Sequence, residues 1–186
     1  MGKPPPVRCA CRLLAVAALI LAAIARPASG QEQAEFAQAV KAAYLYKLSA
    51  FVEWPESAFA SPTSPFNICV VSDSVFAHLV ARAVAGQNIG RRDFVVRFLV
   101  AGDSGLGCHT LYAAGGGRLA AAALAAVRGH PVLTVTDAAA SGAARGVVHF
   151  VLYSGRVRFE IDARHAREHG LAISSRVLEL AVRVIQ

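Results

Sequence analysis

Strands that alternate with helices along one short chain predict an α/β fold: a single-domain sandwich with a mostly parallel central sheet, one C-terminal hairpin and flanking helices. Two observations carry this expectation. Compact apolar runs at 66–71 and 132–136 are each followed or preceded by a stretch of helical composition. Near the C-terminus two β-rich runs, 147–153 and 157–161, are joined through Ser154-Gly155, a dipeptide suited to a tight hairpin turn.

Taken in order, residues 32–51 form the first helix, because Phe36, Val40, Tyr44, Leu48 and Phe51 recur at spacings of three and four with charged residues between them. Trp54-Pro55 ends it, since proline disfavours helical geometry at the residue before it. A Pro/Ser loop at 61–65 leads to the strand 66–71. Ser72-Asp73 then caps a helix over 75–85 that Gly86 closes. Strands follow at 93–100 and 109–113. The three glycines at 115–117 open an Ala-rich helix that runs to residue 127 and stops at Gly129 and Pro131. After the strand 132–136 and the hairpin, short helices are expected at 163–169 and 177–185, the second capped by Ser174 or Ser175.

The N-terminus reads as a cleavable signal peptide over residues 1–30. Lys3, Arg8 and Arg12 precede an uninterrupted apolar run at 13–25, and Ala28-Ser29-Gly30 supplies small residues for cleavage. The run is shorter than the roughly 20 residues needed to cross a bilayer. Its removal changes the composition. Lys3, Arg8, Arg12 and Arg26 leave with it, so four charges come off the formal +7 and the remainder carries +3. Nucleic-acid binders gather a stronger basic footprint, and no nucleic-acid partner is expected. Cys9 and Cys11 also leave, so Cys69 and Cys108 remain. In an oxidising compartment an isolated pair is most simply a disulfide, with two buried thiols as the alternative.

Few groupings suggest catalysis. His165-Ala-Arg-Glu168-His169 matches the H-x-x-E-H string of inverted zinc metallopeptidases. That chemistry needs two histidines one helical turn apart, a glutamate to activate water and a further ligand. Only 17 residues follow the string, and Glu179 is the one acid among them. It therefore reads as a solvated helix face, and neither a metal nor a cofactor is expected. The glycines at 115–117 could present N–H groups to a phosphate. Arg118-Leu119 stands where a Walker motif needs Lys-Ser/Thr, so they read as a connector. No serine lies in a nucleophile elbow, and the expectation is that the protein is not an enzyme.

Two stretches suit contact with a partner. Phe51-Val52-Glu53-Trp54-Pro55 places the single tryptophan at a helix end, where it is either an interface anchor or part of the core. In 155–161, Val157, Phe159 and Ile161 face one way, while Arg156, Arg158, Glu160 and Asp162 face the other. Such a strand can be merely half-exposed, or an edge offered to another chain.

These stretches resemble the YfiR family of small periplasmic regulators. The resemblance lies in Lys41-Ala-Ala-Tyr-Leu-Tyr-Lys-Leu-Ser-Ala-Phe-Val-Glu-Trp-Pro55, in Phe66-Asn-Ile-Cys-Val-Val71, and in Gly155-Arg-Val-Arg-Phe-Glu-Ile161 with Gly170-Leu-Ala-Ile-Ser-Ser175. It implies that residues 31–186 are one YfiR-like periplasmic domain. It further implies a non-enzymatic repressor that binds the periplasmic sensor domain of an inner-membrane diguanylate cyclase. An OmpA-like outer-membrane lipoprotein can sequester such a repressor, raising cyclic di-GMP and biofilm formation. The resemblance also implies a homodimer and maps the family's first disulfide onto Cys69 and Cys108. The second pair has no counterpart, because residues 132–152 contain no cysteine. Repression in the family is tied to the C-terminal block, which points here to Phe159, Glu160, Ile161 and Ile173 as partner-binding residues. The competing reading is a periplasmic small-ligand-binding sensory domain without a cyclase partner. A metallopeptidase built on His165 and His169 comes third.

Overall fold

The computed structural model describes residue 2 and residues 29–71, 73–115, 117–137 and 145–186. The signal-peptide reading of residues 1–30 lies almost wholly outside the described residues. Residues 36–186 form one compact unit, which holds the sheet with its cores. Among the described residues no helix is long and apolar enough to cross a membrane.

Helix α1 (Ser29–Ser49) buries Ala42, Leu45 and Leu48, with Val40 and Tyr44 of the expected face packed against them, whereas Phe36 and Phe51 are exposed. It stops earlier than the Trp54-Pro55 signal suggests. The Ser49 hydroxyl turns back to the Leu45 carbonyl at 2.7 Å and also meets Thr110 Oγ1 at 2.9 Å. The chain then enters strand β1 (Val52–Glu53) and a 3₁₀ turn at Glu56–Ala58. Strand β2 (Phe66–Val71) matches its expected bounds and leads into helix α2 (Ser74–Val84). Asp73 caps α2 by accepting from the Phe76 N–H at 2.7 Å. Strands β3 (Asn88–Ile89), β4 (Arg92–Phe98) and β5 (Thr110–Ala113) follow. Helix α3 (Arg118–Ala126) and strand β6 (Leu133–Asp137) complete the first half of the fold.

Strands β7 (Val148–Tyr153) and β8 (Arg156–Asp162) form the expected hairpin. Ser154 and Gly155 both take positive φ, 49° and 72°, which is the backbone a two-residue primed turn requires. Just before β7, Gly146 passes so close to Thr134 that a Cβ would lie 2.6 Å from its carbonyl oxygen. Helix α4 (Ala163–Glu168), strand β9 (Ala172–Ile173) and helix α5 (Ser175–Leu178), capped by Ser174, end the chain with strand β10 (Arg183–Ile185).

That last element corrects the expected helix over 177–185. One turn of helix is followed by a strand that pairs in parallel with β8, Arg183 against Glu160 and Ile185 against Asp162. A free flank of β8 offers unpaired backbone groups, and the β-branched Val184 and Ile185 fit that pleated surface better than a helix. The short strands β1, β3 and β9 were not expected either, because two residues carry no periodicity.

The main sheet runs β10-β8-β7-β6-β5-β2-β4-β3. Pairs β2–β4, β2–β5, β5–β6, β6–β7 and β8–β10 are parallel, while β7–β8 and β3–β4 are antiparallel. Both faces carry a core. On one, Phe66, Ile68, Val70, Phe150, Phe159 and Ile161 are buried with residues of α1 and α2. On the other, Cys69, Val71 and Leu111 meet Ala120, Ala123 and Val127, the small side chains of α3 letting it approach closely. The disulfide lies in this second core. Cys69 and Cys108 are bridged with their Cα atoms 5.8 Å apart, inside the range an unstrained bridge spans.

Candidate functional site

The candidate residues of β8 divide between the two faces of the sheet. Phe159 and Ile161, 3% and 1% exposed, lie in the core, and the Phe159 ring stands edge-on to Tyr44 of α1 at 5.6 Å. Glu160, between them in sequence, points the opposite way. Its Oε2 accepts from Arg183 of β10 at 2.9 Å and also pairs with Arg145. Across the hairpin His149 stands directly opposite Glu160, its Nδ1 2.9 Å from Thr136 Oγ1. Burial, and then the Arg145 guanidinium, hold His149 below the ordinary histidine range.

The face that carries Glu160 is basic around two half-buried carboxylates, Glu160 and Asp162. Arg145, Arg156, Arg158 and Arg183 are all exposed. Tyr153, opposite Arg156 in the hairpin, is 64% exposed. Exposed ion pairs contribute only about 0–1 kcal/mol each to stability. The Glu160 cluster therefore does little for folding. It fixes the direction of charged groups, and tyrosine with arginine is the composition that dominates binding energy at protein interfaces.

Ile173 and Trp54 come together through a second, two-stranded sheet. β1 pairs antiparallel with β9, Val52 opposite Ile173 and Glu53 opposite Ala172, and the Ser174 N–H donates to the Phe51 carbonyl at 2.9 Å. Residues 51–53 thus meet residues 172–174, which lie in the block that the family resemblance marks. Trp54 is half-buried, edge-on to Phe66 at 5.0 Å, and its Nε1 has no partner among the described residues. It leans on the core, with one flank facing a shallow cleft beside Phe59 and Arg92.

His165 and His169 lie on α4 and its C-terminal cap with their Nε2 atoms 3.1 Å apart. Among the described residues no group of three histidine, cysteine or acidic side chains is placed to hold a metal. Asp162, which precedes them, caps α4 by accepting from the Arg164 and His165 N–H groups, each at 3.0 Å.

Sequence reasoning missed Arg145, His149 and Arg183. His149 could have been paired with Glu160 by counting outward from the Ser154-Gly155 turn, since a two-residue loop fixes hairpin register. Arg183 could not, because its partner depends on a strand that had no local signal.

The fold is thus a mostly parallel α/β sheet, one face of which carries oriented charged groups around Glu160. The chain belongs to the YfiR/HmsC-like family, whose model matches residues 38–182. That span holds β1 to β9 and most of α1, and with them every candidate residue described above except Arg183 of β10. The family is one of periplasmic, regulatory and non-catalytic proteins. No curated protein matches the chain.

Proposed function

We propose that this protein is a periplasmic repressor that binds the sensor domain of an inner-membrane diguanylate cyclase and holds it inactive. An OmpA-like outer-membrane lipoprotein would relieve the brake by sequestering it, and the working species would be a homodimer. Family membership supports the signalling role. The observation that carries the choice of surface is Glu160 held between Arg145 and Arg183 on a face that also exposes Arg158 and Tyr153. Phe159 and Ile161 then serve repression from beneath, by fixing the strand that presents Glu160. Ile173 and Trp54 form a second contact region at the β1–β9 sheet.

The effect on the cyclase is a population shift, set by how differently the repressor binds its active and inactive states. Glu160→Lys tests the surface, because it places a third cation between two arginines while leaving the core untouched. Cellular cyclic di-GMP should rise toward the level of a gene deletion, with stability of the purified protein changed by no more than about 1 kcal/mol. Unchanged cyclic di-GMP in the deletion strain would remove the cyclase from the proposal. A rise in the deletion but not in Glu160→Lys would move the surface elsewhere.

A further inference from the structure

Away from the Glu160 face, a crevice of about 430 Å³ opens at the carboxyl ends of the parallel strands β2, β5 and β6. β4 lies on one side of β2 and β5 on the other, and α2 and α3 cover opposite faces of the sheet. The crevice thus sits where the strand order reverses, the position at which open α/β sheets take their ligands.

Its floor is an asymmetrically used carboxylate. Asp137, 2% exposed, receives the Lys41 ammonium at 2.7 Å and the Tyr112 hydroxyl at 2.8 Å, both on Oδ2. Oδ1 is buried and has no hydrogen-bond partner among the described residues. Burial, followed by the charges of Asp137 and Asp73, pushes the Tyr112 hydroxyl far above its ordinary range, so it keeps its proton and spends it on Asp137. What Tyr112 has left is acceptor capacity. Asp73 adds a second carboxylate to the lining. The unused capacity lies at Asp137 Oδ1, which lacks a donor among the described residues. The start of α3 supplies the complement: Gly117, its N-cap, has no side chain to satisfy the first N–H groups.

We propose that this crevice binds a small solute through a primary ammonium group, which donates to Asp137 Oδ1 against the acidic lining. A solute that also carries a carboxylate would place it at the α3 N-terminus. The shared chemistry is the ammonium, and an amino acid or a simple amine could provide it.

The experiment is a thermal-shift measurement on the purified protein with three millimolar pools: the proteinogenic amino acids, carboxylate-free amines such as putrescine and ethanolamine, and N-acetylated amino acids. At least one of the first two pools should raise Tm by about 5 °C when its active member stands about a hundred-fold above its Kd. The acetylated pool should have no effect. Response to the first pool alone identifies the carboxylate-bearing source, and response to the second identifies the amine. Asp137→Asn should abolish the shift. Should that variant fold poorly, Gln38→Trp, at an exposed position on the crevice rim, should abolish it by filling the space. No shift from either ammonium pool, an equal shift from the acetylated pool, or an undiminished response in both variants would overturn the proposal. The assay needs no protein partner, so its outcome is separate from that of the repression test.

Discussion

Phe159 and Glu160 are neighbours in β8 and do opposite work. Phe159 lies beneath α1, edge-on to Tyr44, in a core shared with Phe66 and Phe150. Glu160 lies on the other side of the same strand, among exposed arginines. The same contrast runs across the whole sheet. One face is apolar from β2 to β8, and the other changes from the disulfide and α3 at one end to charge and tyrosine at the other. The two-residue period of a strand thereby separates buried apolar groups from exposed charged ones. A substitution on one face should change folding and one on the other should change binding.

The largest expected effect comes from breaking the buried side. Phe159→Ala removes a ring that is 3% exposed, and large-to-small changes at such sites cost about 3–5 kcal/mol. Urea unfolding should show a lower midpoint with little change in slope, and repression should fail together with folding. A Phe159→Ala protein of normal stability that still lost partner binding would place Phe159 in the contact itself. The stapled end of the sheet comes next. The Cys69–Cys108 bridge closes a loop of 39 residues, for which the chain-entropy account gives about 4 kcal/mol. Replacing both cysteines by serine should lower the urea midpoint accordingly. The Glu160 face, at the far end of the sheet, should keep its partner affinity wherever the variant remains folded.

The smallest effect is a graded one with pH. Burial is the first cause that lowers His109, His149 and His169 from the ordinary 6.5, aided by Arg92, Arg145 and His165 respectively. The unfolded chain therefore takes up protons below 6.5 that the folded chain refuses. Stability from these groups is present above that value and is lost as pH falls through it toward the lower folded values. The unfolding midpoint should decline between about pH 7.5 and about pH 5.5, the interval in which unperturbed histidines charge. A flat profile would mean that these rings are not held neutral. Because His149 stands opposite Glu160, His149→Gln should flatten part of the decline while leaving that due to His109 and His169.

Much of the fold was legible because it is written in short windows. Phe66–Val71 is a run of apolar residues between turn signals, Asp73 sits where a cap is needed, and Ser154-Gly155 closes a hairpin. The alternation of Val157, Phe159 and Ile161 with Arg158 and Glu160 gave the two faces of β8 directly. Its meaning for the candidate site was only half legible. Alternation says that Phe159 and Glu160 cannot share one surface, yet both belong to the block that the family resemblance marks.

What the sequence determined by itself is most of the order of helices and strands, and the hairpin with its register. What only the tertiary structure decided are the pairings that no local pattern encodes. Residues 177–185 hold enough apolar side chains for a helix, and became a strand over Arg183–Ile185 because β8 had a free flank. Arg183 found Glu160 across 23 positions and Lys41 found Asp137 across 96. Val52 met Ile173 across 121 positions (173 − 52), a pairing that no local pattern marks. The physical reason is the range of the interactions. Caps, turns and periodic faces act within a few residues, whereas the partner of an edge strand or a buried charge exists only after the chain has folded around it.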